Sequence, residues 1–152
     1  MSRKPRPRLR WAPLVLLVLL IAAGTALAAG ARLKVTGPSG TLKADTRYTV
    51  TASGNASHNA NTLFAYEGGQ VGGGTAAIRC NATENGEYAQ YKPAPNVHVY
   101  LGSHRVHGSF SLTWRFIAAH PGPRSFCAYL TNSSGNTTYA KASLHWTNQP
   151  GG

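Results

Sequence analysis

From residue 32 onward apolar and polar positions alternate with a period of two, in short runs separated by Gly, Pro, Asn and Ser. Within residues 47–52, Tyr48, Val50 and Ala52 fall on one side and Arg47, Thr49 and Thr51 on the other. Residues 109–116 alternate most cleanly: Phe110, Leu112, Trp114 and Phe116 share one side, and Ser109, Ser111, Thr113 and Arg115 the other. A helix would scatter these positions around its circumference, so the pattern predicts a half-buried strand. Further strands are predicted at 33–36, 62–66, 124–130 and 138–146, the last with Ala140, Ala142, Leu144 and Trp146 inward.

Turn chemistry falls between these runs. Gly37-Pro38-Ser39-Gly40 ends the first strand, Glu67-Gly68-Gly69 is read as the stop of the third, and His120-Pro121-Gly122-Pro123 as the turn after the fourth. Residues 132–136 read as a hairpin loop. No stretch after residue 32 carries a helical stripe, although residues 76–91 have room for a short helix near Cys80. Together these elements predict an all-β fold, an antiparallel immunoglobulin-like β-sandwich of about seven strands.

The first thirty residues break the pattern. Arg3, Lys4, Arg6, Arg8 and Arg10 form a basic run interrupted by Pro5 and Pro7, an apolar stretch runs from Leu14 to Ala23, and Ala26-Leu27-Ala28 follows. Basic, apolar, small-x-small is the three-part signature of a secretory signal. The twin-Arg pattern is absent, which points to the general export route. No charge occurs from Trp11 through Ala31, so the same span is also long enough to cross a bilayer uncleaved, basic end inside. Both readings make 1–28 an N-terminal hydrophobic helix (signal peptide or anchor) and put a domain at 29–148 outside the cytoplasm, with 149–152 as a flexible tail.

Charge changes the picture less than its total suggests. The chain has 15 basic residues against 4 acids, a net +11, but five of the basic residues precede residue 11 and the rest of the chain is only +6. A value of that size is ordinary for a soluble domain and does not call for nucleic acid. The acids are Asp45, Glu67, Glu84 and Glu87. Paired-carboxylate hydrolases and oxygen-ligand calcium sites need more acids in one place, and the close pair Glu84 and Glu87 reads as a polar surface turn. There is no Gly-x-Ser-x-Gly elbow, and the glycine-rich run from Gly68 to Gly74 lacks the Lys-Ser/Thr ending of a phosphate loop. No catalytic residue and no cofactor are predicted.

Histidine is the one versatile side chain present in numbers. His98, His104 and His107 would supply zinc or copper ligands if a hairpin gathered them. An HxxH pair on a strand points to opposite faces, and Arg105 would repel a cation, so polar surface histidines are the preferred reading.

Cys80 and Cys127 are the only cysteines, and in an exported chain they are expected to pair. The closed loop of roughly 47 residues would contribute about 4 kcal/mol in the chain-entropy model. Two separate buried thiols are the alternative. Residues 125–130, Ser-Phe-Cys-Ala-Tyr-Leu after a Pro-Gly turn, resemble the cysteine-bearing late strand of small immunoglobulin-like domains. With Tyr48 in an early strand, Cys80 after the third, and Gly108-Ser109-Phe110, the chain from about 33 to 148 resembles exported bacterial proteins with a single domain of that kind. The resemblance implies a sandwich and supplies no ligand. It departs from antibody domains: no Trp follows a first Cys, Cys80 lies too late for the second strand, and Ser125 stands where a tyrosine corner would place Tyr.

Loops on a rigid sandwich often carry recognition. The long segment between the third and fourth predicted strands holds Tyr88, Tyr91 and Tyr100 with Lys92 and Arg105, the candidate binding residues. The expected role is a non-catalytic extracellular module contacting another protein or an envelope polymer, with the membrane met only through the N-terminal segment. An anchored spacer is the first alternative and a His-dependent metal binder the second.

Overall fold

A strand wet on one face alternates in burial, and a strand covered on both faces does not. That difference organises this domain. The computed structural model describes residues 30–69, 79–91 and 98–150. The predicted signal or anchor at 1–28, Lys92 and the end of the predicted tail at 151–152 lie outside the described residues.

In chain order the elements are β1 (Arg32–Thr36), β2 (Thr41–Leu42), β3 (Arg47–Asn55), β4 (Thr62–Gly69), α1 (Glu84–Tyr91), β5 (His98–Arg105), β6 (Ser109–Ile117), β7 (Gly122–Thr131) and β8 (Thr138–Asn148). They form a three-stranded sheet, β1-β3-β6, and a five-stranded sheet, β2-β8-β7-β4-β5. Pairing is antiparallel except between β2 and β8. The chain changes sheets at residues 37–40, between β1 and β2. This is the strand order of an immunoglobulin-like sandwich, with β1, β3 and β6 in the A, B and E positions and β8, β7, β4 and β5 in G, F, C and C′.

β3 and β6 alternate along most of their length, and their inward residues meet those of the larger sheet. Val50 and Ala52 are fully buried against a core that includes Leu63, Ala65, Phe126, Ala128 and Leu130. Ring contacts tie the layers together: Trp114 lies 5.1 Å from Phe126 across the sandwich, and Tyr48 meets Trp146 of β8 edge-on at 5.4 Å.

β4 and β7 behave differently. The last seven residues of β7 are all buried, and in β4 only Phe64 and Glu67 are partly exposed. Their outward residues Tyr66, Cys127 and Tyr129 form a second apolar cluster with Phe64 and Cys80. The central strands are therefore covered on both faces.

Three sequence expectations are corrected here. Glu67-Gly68-Gly69 does not stop the third predicted strand, because Gly68 and Gly69 pair with Ser125 and Arg124. A Cβ at Gly69 would displace the Arg124 side chain, whose guanidinium passes 1.8 Å from that position. Gly122 and Pro123 begin β7 instead of turning, pairing with Asn148 and Thr147 at the end of β8. Residues 98–105, taken as part of a connecting segment, are the edge strand β5, whose alternation is broken by a bulge where Gly102 adopts φ +120°. With β2 this brings the strands among the described residues to eight.

Replacing Phe126 by Ala should cost about 3–5 kcal/mol in urea unfolding, since it empties the centre of the inter-sheet layer. Ile117→Ala, at a side chain 53% exposed, should cost less than about 0.5 kcal/mol.

Candidate functional site

Of the connection from β4 to β5, the described residues 79–91 are fastened on the outer face of the five-stranded sheet. Cys127 lies between the inward Phe126 and Ala128, so its sulfur points outward, where it bonds to Cys80 with Cα atoms 5.5 Å apart. The bridge joins β7 to the crossover and does not join the two sheets as in antibody domains. The Cys80 carbonyl accepts a hydrogen bond from Lys141 Nζ on β8 at 3.2 Å.

α1 starts immediately beyond. Thr83 caps it, its Oγ1 accepting from the Gly86 amide at 3.2 Å and its carbonyl from the Glu87 amide at 3.1 Å. Glu84 and Glu87 occupy the first turn, where a helix favours negative charge. They do not form a polar surface turn: they are 4% and 0% exposed. Burial is tolerated because the sheet supplies donors. The Tyr66 hydroxyl donates to Glu84 Oε1. The Tyr129 hydroxyl lies 2.8 Å from Glu87 Oε2, which also accepts from the Asn81 amide at 2.6 Å. The Glu84 amide donates to Thr138 Oγ1 on β8 at 3.0 Å.

Burial raises the pKa of Glu84; the Tyr66 hydrogen bond opposes that shift, and the charge of Glu87 adds to it. Burial likewise pushes Tyr66 and Tyr129 above the ordinary phenol range, reinforced by hydrogen bonds to their glutamates, so both remain protonated donors.

The candidate binding residues divide. Tyr88 lies on α1, 49% exposed. Tyr100 lies on β5, 37% exposed, its ring 5.3 Å from Tyr66 and 6.4 Å from Phe64. Because α1 packs beside β5, both tyrosines belong to the outer side of the same sheet. Tyr91 ends α1. Arg105 closes β5 at its other end and donates to Asn61 Oδ1 at 3.4 Å, apart from the tyrosines. Val99, 46% exposed on β5, pairs with Glu67 and faces the opposite side of the strand from Tyr100. Tyr66 and Tyr129 were not legible as anchors of the crossover, since nothing local to them announces the glutamates.

His98 begins β5, and His107 is exposed just beyond it. The His104 ring lies 5.9 Å from Trp114. Among the described residues no three His, Cys, Asp or Glu side chains gather where they could hold one metal ion.

One end of the sandwich is closed by a polar network. Glu67, half-buried between the sheets, lies 3.5 Å from the Tyr48 hydroxyl. Burial raises its pKa, and the positive charge of Arg124 works against that. The His120 carbonyl accepts from Arg124 at 3.2 Å and from Asn148 at 3.0 Å. Trp146 Nε1 donates to Asn148 Oδ1 at 3.1 Å. Glu67, His120, Arg124 and Asn148 line a small cavity of about 210 Å³ with Val99, Phe116 and Ile117.

The sequence matches no protein-family model and none of the curated proteins. Among solved structures it is similar to the CARDB domain of a Pyrococcus furiosus protein, at 11% identity and TM-score 0.45 over 79% of this chain and 94% of that one. It is similar too to a β-glucosidase from Listeria innocua, at 8% identity and TM-score 0.41 over 80% of this chain and 16% of that one. A sporulation control protein from Bacillus subtilis matches at 10% identity and TM-score 0.36, over 80% of this chain and 50% of that one. At these values none of them bears on function, and the sandwich stands on the strand pairing itself.

A carboxylate whose pKa is raised above its ordinary value of 4.5 stabilises the fold fully below that pH and loses its contribution as pH rises through the folded value. The melting temperature of Glu84→Gln, relative to the native chain, should therefore climb between about pH 4.5 and pH 7.5. Scanning fluorimetry across that window checks this, and a constant offset would contradict it.

Proposed function

We propose that this chain is an exported, non-catalytic binding module that engages an extracellular protein or an envelope polymer through α1 and β5. In this reading the N-terminal segment, as cleaved signal or anchor, delivers the domain outside the cytoplasm and is its only contact with the membrane. The Cys80–Cys127 bond suits an oxidising compartment.

The observation that carries the reading is an exposed aromatic surface on a fastened platform. Tyr88 and Tyr100 are among the exposed large apolar side chains of the domain. Beneath them the disulfide and the Tyr66–Glu84 and Tyr129–Glu87 hydrogen bonds fix the crossover. A surface already held in one conformation loses less entropy when it binds, and tyrosines are common anchors of interfaces. Among the described residues β5 is also the outermost strand of its sheet.

The test is retention of the full chain by envelope and extracellular-protein fractions of the source cell. Replacing Tyr88 and Tyr100 together by Ala should lower retention at least about tenfold, as expected for anchor residues worth roughly 1–2 kcal/mol each, while the protein still melts cooperatively, at a temperature lowered by the lost packing of Tyr100 on Phe64 and Tyr66. Equal retention of the variant would overturn the assignment of this surface. A chain retained by neither fraction would be a spacer.

A further inference from the structure

The outward face of the three-stranded sheet carries a separate set of groups. β1 presents Arg32 and Lys34 to solvent, β3 presents Arg47, and β6 presents Arg115. No acid shares this face. Of the four acids, Glu84 and Glu87 are buried under the crossover on the opposite sheet, Glu67 lies between the sheets, and Asp45 sits in the turn before β3 at the rim.

The cations are grouped at two ends. Arg47 pairs in register with Ile117, and Arg115 with Thr49, so the two arginines are diagonal neighbours. They line a hollow of about 450 Å³ with Tyr48, Phe116 and Ile117. Arg32 and Lys34 line a second hollow of about 570 Å³, joined there by Lys141 from β8. Lys34 lies opposite Ser53, four residues along β3 from Thr49. At the usual strand spacing and rise this puts the two ends roughly 16 Å apart.

Between them lies a field of hydroxyls: Thr36, Thr51, Ser53, Ser111 and Thr113. Thr51 and Thr113 share a hydrogen bond of 2.9 Å. Two basic hollows separated by hydroxyls do not suit a small anion, which would occupy only one. They suit an extended chain with an anionic group at each end and hydrogen-bonding units between. Paired guanidiniums grip tetrahedral phosphate through parallel N–H bonds better than ammonium groups do.

We propose that this face docks a linear polymer of sugar or polyol units carrying phosphate groups, laid across the strands from Arg32 and Lys34 to Arg47 and Arg115. The inference shares with the functional reading only that the domain meets partners outside the cytoplasm; its surface is on the other sheet from Tyr88 and Tyr100.

Long-chain polyphosphate, titrated against the full chain, is the direct probe. Binding should weaken as salt rises, because each anionic contact releases counterions, and orthophosphate should compete poorly. Arg47→Ser with Arg115→Ser should lower affinity at least tenfold at low salt and flatten the salt dependence. Arg79→Ser, beside Cys80 on the other sheet, removes a charge away from this face and should change affinity less than twofold. The tyrosine double variant should bind polyphosphate normally, so failure of the functional reading would leave this one standing. Melting temperatures near that of the native chain would show that the serine variants fold. A loss per charge removed as large for Arg79→Ser as for the arginine pair would reduce the effect to net charge and overturn the proposal. It would also be overturned if Arg47→Ser with Arg115→Ser weakened binding to phosphatidylglycerol vesicles and not to polyphosphate, which would assign the face to a membrane surface.

Discussion

Everything distinctive in this domain follows from one constraint: β4 and β7 carry large side chains on both faces, and a two-sheet sandwich covers only one. The inner face meets β3 and β6 in the usual way. The outer face, with Tyr66, Cys127 and Tyr129 side by side, needs a cover, and residues 79–91 of the connection from β4 to β5 provide it. A disulfide at Cys80 shortens the search for that cover by holding it near the sheet in the unfolded chain as well as the folded one. Two buried glutamates then meet two buried phenols. A carboxylate taken from water without partners would be prohibitively unfavourable; here the tyrosines, the Asn81 amide and the start of α1 replace the lost water.

The same arrangement governs the domain's electrostatics. A net charge of +6 beyond the N-terminal segment is unremarkable in composition. Folding withdraws Glu84 and Glu87 to the underside of the crossover and Glu67 to the space between the sheets. The exposed strands of the smaller sheet are left with cations and hydroxyls, so the basic face is a product of the topology more than of the sequence totals. The cover that hides two acids also holds Tyr88 in place beside β5. The aromatic side and the basic side of the sandwich thus have one structural origin.

What could be read from the sequence divides along the same line. β3 and β6 were plain because one face of each is wet, and period-two alternation is the imprint of that asymmetry. β4 and β7 were read too short because glycine and proline usually mark turns, whereas Gly69 makes room for Arg124 and Pro123 stands near the start of its strand. β5 was missed because the bulge at Gly102 breaks its alternation. The cysteine pair could be inferred from their number. Glu84 and Glu87 were misread because polarity close together in sequence signals surface, and the tyrosines that satisfy them lie 18 and 42 residues away. Tyr88 and Tyr100 were recognisable as aromatics in a long connection; their placement over a fastened platform depended on those distant pairings.

The central claim is that the crossover is a fixed cover held first by the disulfide, and amide hydrogen exchange with the bond intact and then reduced tests it most directly. With the bond intact, the amides of α1 should be protected well beyond an isolated helix of its eight residues. After mild reduction they should exchange freely, while β3 and β6 keep their protection because the inner core does not depend on the cover. Fast exchange of α1 in the oxidised protein, or simultaneous loss of protection in all strands on reduction, would contradict this account.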